Sequence, residues 1–113
     1  MHELTATQQM LDIALDTARQ HGARQITAID LVLGELSDIT AESVQFYFDA
    51  LSPGTAAEGA ALRFRRALAQ VCCPGCGYTA TPPLPLRDDC PRCGALVSVL
   101  GGREFQIESI ELE

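Results

Sequence analysis

Two five-residue phrases carry the clearest chemistry in this chain: Cys73-Pro74-Gly75-Cys76-Gly77 and Cys90-Pro91-Arg92-Cys93-Gly94. In each, two thiols flank a tight turn. Proline after the first cysteine pre-sets φ, and glycine after the second can adopt φ > 0, which lets backbone amides turn toward sulfur. Thirteen residues, 77–89, separate the turns. Four thiolates converging from two such knuckles make a closed tetrahedral site, the geometry of structural zinc, at Cys73, Cys76, Cys90 and Cys93. The fifth cysteine, Cys72, is either an unligated bystander or a competitor of its neighbour Cys73.

The second group of interest is the start of the chain, Met1-His2-Glu3. A free α-amine on Met1, the amide nitrogen and imidazole of His2 and the amide nitrogen of Glu3 can form fused chelate rings. Such a planar, nitrogen-rich set suits Ni(II) or Cu(II) better than Zn(II). The competing reading is a frayed terminus, with Glu3 as a first-turn acid complementing the helix dipole. His21 sits where a helix end favours a cation and reads as a cap.

These groups need elements to hold them. Leu4 to Gly22 reads as a helix with an apolar stripe of Leu4, Leu11, Ala14, Leu15 and Ala18. Thr5 with Gln8 resembles a capping box, unless the helix begins a turn earlier, and His21-Gly22 is the stop signal. From Arg24 to Leu36 the period becomes two: Ile29, Leu31 and Leu33 line one face while Asp30 points away, as in a half-covered strand. A second helix opens at Ala41 behind Thr40 as N-cap, with Ile39 and Val44 as a hydrophobic staple. Val44, Phe48 and Leu51 form its buried stripe, and Ser52-Pro53-Gly54 ends it. Residues 55–60 form a small-residue loop. Leu62 and Phe64 alternate with Arg63 and Arg65 in a second strand. Pro82-Pro83-Leu84-Pro85 is an extended surface loop between the knuckles. A last strand runs from Arg103 to Leu112, and the parity change from Phe105 and Ile107 to Ile110 and Leu112 predicts either a bulge near Ser109 or a strand covered on different faces at its two ends.

The order predicts an α+β fold: two helices on a small mixed sheet of about three strands, with an inserted zinc-ribbon module. Residues 1–69 and 101–113 would form the α/β domain and residues 70–100 the ribbon.

The 113 residues carry a formal charge of −7 and a pI near 4.6. Four thiolates around one Zn(II) would add about −2. That acidity argues against a nucleic-acid ribbon, although Arg63, Arg65, Arg66, Arg87 and Arg92 warrant a binding assay. No apolar run approaches the ~20 residues of a membrane span, and the N-terminus reads as lacking a secretory signal. Five cysteines, an odd number grouped as metal pairs, suit a reducing cytoplasm better than a disulfide scaffold. No nucleophile–base pair or phosphate-cradling loop is visible, so an enzyme is not expected. A Cys-x-x-Cys redox protein would need a thioredoxin-like context that is missing here. A zinc-ribbon adaptor that recruits proteins and carries no exchangeable metal is the chief alternative.

Met1-His2-Glu3 together with the paired Cys-Pro-x-Cys-Gly knuckles resembles the HypA/HybF family of nickel metallochaperones. The opening helix, Ile29 to Gly34-Glu35-Leu36, Glu58-Gly59 and Glu104 to Glu111 extend the likeness over nearly the whole chain. The resemblance implies nickel bound at Met1, His2 and Glu3. It also implies a structural zinc at the four matching cysteines, conformationally linked to the nickel site. The implied partners are a HypB-type GTPase and the [NiFe]-hydrogenase large subunit precursor, with urease maturation proteins in some members.

Overall fold

The protein is described by a computed structural model covering residues 2–80 and 89–113, with only the backbone of His2. The expected proline loop at 82–85 lies outside the described residues.

Helix α1 spans His2–Gln20, beginning two residues before the expected Leu4. The Thr5–Gln8 capping box is not formed. Gln8 instead donates its side-chain amide to Asp12 at 2.9 Å, and the buried Thr7 hydroxyl donates back to the Glu3 carbonyl at 2.6 Å. The inward stripe is Thr7, Met10, Leu11, Ala14 and Ala18. Leu4 continues that stripe in sequence but remains 37 % exposed, because the cover ends at Thr7. At the other end, the Gly22 amide donates to Arg19 and that of Ala23 to Ala18. This is a Schellman motif, with Gly22 at φ 65°. His21 caps as expected, its Nδ1–H donating to the Thr17 carbonyl at 2.9 Å.

Strand β1, Ile26–Gly34, lies at the centre of a three-stranded mixed sheet. It is parallel to β2, Ala61–Ala67, and antiparallel to β6, Phe105–Leu112. Helix α2, Ala41–Leu51, makes the crossover that a parallel β1–β2 pair requires. Thr40 is its N-cap, in a reciprocal capping box completed by Ser43. Leu11, Ile29, Leu31, Val44 and Phe48 are fully buried between the helices and one face of the sheet, with Ile39 and Leu51 packed against them.

The other face of β1 is not left half-solvated as the alternation suggested. Ala28 and Val32 are buried there as thoroughly as the helix-facing residues, and Leu33 is only half-buried. Among the described residues, charged side chains of β2 and β6 span this face. Arg63 of β2 grips Asp30 with both ends of its fork, at 2.7 and 2.9 Å, and reaches on to Glu111 of β6 at 2.9 Å. Arg65 crosses β1 at Val32, its register partner, to meet Glu108 at 2.6 Å. Arginine stems in this position can cover apolar surface while their heads stay in water.

The predicted bulge is present. Asp30 faces Ser109 while Leu31 faces Ile107, which leaves Glu108 unmatched. The extra residue moves Ile110 and Leu112 onto the helix-facing side, where they join the core.

The bonds from Arg63 and Ser109 hold the Asp30 carboxyl below its ordinary 3.8, and Arg65 does the same for Glu108. A depressed folded-state pKa contributes stability that is present above the unfolded value and lost as pH falls through the folded one. Sheet stability is therefore expected to be flat above about pH 5 and to decline below about pH 4. Asp30→Asn should flatten that decline in acid unfolding followed by amide signals of β1. An unchanged acid limb in the variant would contradict the role given to this carboxylate.

A second sheet lies in the cysteine region, with strand order β4-β3-β5. It comprises β3 (Gln70–Cys72), β4 (Thr79–Ala80) and β5 (Ser98–Leu100). As the pattern of apolar strands implied, β2 and β6 flank the insertion in sequence yet share one sheet.

Candidate metal centres

The two knuckles fold alike. In the first, the Cys73 amide donates to the Tyr78 carbonyl at 2.7 Å and the Gly77 amide to the Cys73 carbonyl at 2.9 Å. In the second, Cys90 donates to Ala95 at 2.7 Å and Gly94 to Cys90 at 2.8 Å. Gly77 and Gly94 adopt φ of 79° and 80°, a conformation that closes each turn and that other residues rarely reach. Arg92 stands over the Tyr78 ring at 5.4 Å, a cation–π contact joining one knuckle to the other. Neither residue carried a sequence signal for that pairing beyond its place within two residues of a cysteine.

All four predicted sulfurs come together. Cys73 Sγ lies 3.5 Å from Cys93 Sγ, and Cys76 Sγ lies 3.7 Å from Cys90 Sγ. The whole set falls within 4.8 Å. A zinc–sulfur bond of about 2.3 Å implies tetrahedron edges of about 3.8 Å, so the donor set fits such an ion. Cys73 and Cys90 are buried, whereas Cys76 and Cys93 are exposed. Cys72 is half-buried in β3, opposite Thr79 and Ser98, and its sulfur is outside the cluster.

The electrostatics divide the thiols by position. The Cys76 and Gly75 amides hold Cys73 below its ordinary 9.0. Burial pushes Cys90 up, but the Cys93 and Arg92 amides outweigh it and bring that thiol to about 6; the Arg92 amide donates to its sulfur at 3.3 Å. At Cys76 the Tyr78 amide favours the thiolate, yet burial and the neighbouring thiols raise it. Cys93 is favoured by the Ala95 amide but pushed up to about 11 by Cys73, burial and the other thiols. Four adjacent sulfurs cannot all ionise alone, and a dication among them removes that conflict. Such a site has no open coordination position for a substrate.

The N-terminal group is only partly described. Glu3 occupies the first turn of α1 and is half-buried, while Met1 and the His2 ring lie outside the described residues.

The family model "Hydrogenase/urease nickel incorporation, metallochaperone, hypA" matches residues 1–112. The hydrogenase maturation factor HypA of Caldanaerobacter subterraneus subsp. tengcongensis is 41 % identical over 115 residues, covering 100 % of both chains. Two solution structures share the fold. A HypA protein superposes with a TM-score of 0.77 at 19 % identity, covering 100 % of this chain and 97 % of that one. The Ni metallochaperone HypA from Helicobacter pylori does so with 0.69 at 18 %, covering 97 % and 96 %.

Proposed function

Because this chain belongs to the HypA family of hydrogenase and urease nickel-incorporation metallochaperones, we propose that it takes up Ni(II) at Met1, His2 and Glu3 and delivers it for [NiFe]-hydrogenase maturation. The observation that carries this reading is the match of the family model to residues 1–112, a span that includes Met1, His2 and Glu3. A terminal site is also reachable by a partner's thiolates, and release from it need not open a core. Amide ligands must lose protons to bind, so affinity rises with pH.

Zinc at Cys73, Cys76, Cys90 and Cys93 is structural: it closes the ribbon and performs no chemistry on a substrate. Ligand softness sorts the metals, with four thiolates retaining zinc and a nitrogen-rich plane favouring nickel. Residues 1–69 and 101–113 form the nickel-binding domain and residues 70–100 the zinc-binding domain. The protein acts in the cytoplasm as a carrier rather than an enzyme. Its partners are a HypB-type GTPase and the hydrogenase large subunit precursor, with urease maturation proteins a further class of recipient.

Nickel titration with elemental analysis of untagged protein tests this. Wild type should bind one tight nickel beside one zinc. His2→Ala, or residues added before Met1, should weaken nickel by more than about 100-fold and leave zinc unchanged. Unaltered nickel affinity in both variants would leave only the adaptor reading, with one metal per chain and indifference to His2.

A further inference from the structure

The C-terminal end of β1 runs into Gly34-Glu35-Leu36, and each of these residues bonds to a segment that leads into or out of the ribbon. The Gly34 amide donates to Glu104 at 2.7 Å, that of Glu35 to Ala67 at 2.8 Å, and that of Leu36 to Gly102 at 2.6 Å. The Glu35 side chain is only 6 % exposed, and its Oε1 lies 3.6 Å from Arg66 Nη2. Its Oε2 accepts the Ala69 amide at 2.5 Å. Ala69 is itself 1 % exposed, so water does not replace that acceptor. The backbones are pressed together at the same place. A Cβ on Gly34 would lie 2.2 Å from the Gly102 carbonyl carbon, and one on Gly102 would lie 2.8 Å from the Ala69 Cβ.

We propose that Glu35 is a positioning residue that fixes the orientation of the ribbon on the β1–β2–β6 sheet. A carboxylate this enclosed needs its donors, and a buried amide needs its acceptor. Pivoting the ribbon about residues 67–69, where the first connection leaves β2, would strip the Ala69 amide of its acceptor and Glu35 Oε2 of its donor. One buried charge-assisted bond thereby converts two connecting segments from a hinge into a fixed joint.

The test uses the full-length, zinc-loaded protein, by ¹⁵N relaxation and amide hydrogen exchange. In wild type, one rotational diffusion tensor should fit the amides of both sheets, with Ala69 slowly exchanging. In Glu35→Ala, the two sheets should tumble separately and Ala69 should exchange at least about tenfold faster. Zinc content and the signal dispersion within each sheet should not change. Glu35→Gln keeps a carbonyl acceptor and should restore joint tumbling and Ala69 protection. Joint tumbling with a protected Ala69 in Glu35→Ala overturns the proposal. Should that variant not fold, Glu35→Gln decides alone: a folded protein with Ala69 protected supports the joint, and an unprotected Ala69 overturns it.

Discussion

Cys90→Ala abolishes the fold of the ribbon and leaves the sheet of β1, β2 and β6 standing. The three ribbon strands contain three, two and three residues. Among the described residues of the ribbon, the buried apolar side chains are Val71, Cys73 and Cys90, and two of these are the proposed metal ligands. A segment so short of core cannot offset its chain entropy without a cross-link. A structural zinc is worth about 10–16 kcal/mol, far more than the strands themselves supply. Removing the buried Cys90 thiol takes away one ligand and also the acceptor of the Arg92 amide. The expected result is zinc content well below one per chain, with ribbon amide signals collapsed to narrow dispersion. Ile29, Leu31 and Phe48 should keep their folded shifts. A zinc-loaded Cys90→Ala ribbon with wild-type dispersion would refute the four-thiolate assignment.

Phe48→Ala should do the reverse. Phe48 is fully buried against both helices and β1, where truncation costs about 3–5 kcal/mol. Set against a total stability of about 5–15 kcal/mol, that is a large share for a small core. The helical transition in thermal melts should fall by about 15 °C or more, while zinc stays bound at 25 °C. Phe46 provides the control. It is 69 % exposed on the same helix, and Phe46→Ala should change stability by no more than about 0.5 kcal/mol. Zinc loss accompanying the Phe48→Ala melt would show that the sheet and ribbon do not fold as separate units.

The features legible in the sequence were those whose causes are local. Both knuckles, the Thr40 cap, the Gly22 stop and the bulge beside Ser109 follow from residue types within a few positions of one another. The face of β1 that bears Asp30 was misread because its cover comes from Arg63, Arg65 and Glu108, far away in the chain. Alternation says which residues share a face, but not that charged side chains will span it. The start of α1 was placed late because Thr5 and Gln8 imitate a cap, whereas the helix runs to His2 with no such signal. Glu35 stood out only as part of a family phrase. Its partner is the backbone amide of Ala69, and an amide has no side-chain identity to be read.

The repeated hydrogen bonds of the two knuckles give their cysteines equivalent places in two copies of one turn. The leading cysteines, Cys73 and Cys90, are the equivalent inner pair, and the trailing Cys76 and Cys93 the equivalent outer pair. The halves share thiol spacing but not acidity, since the thiol brought to about 6, Cys90, belongs to the second knuckle. In the proposed zinc site a competing chelator would meet the outer sulfurs of both halves before the buried inner ones.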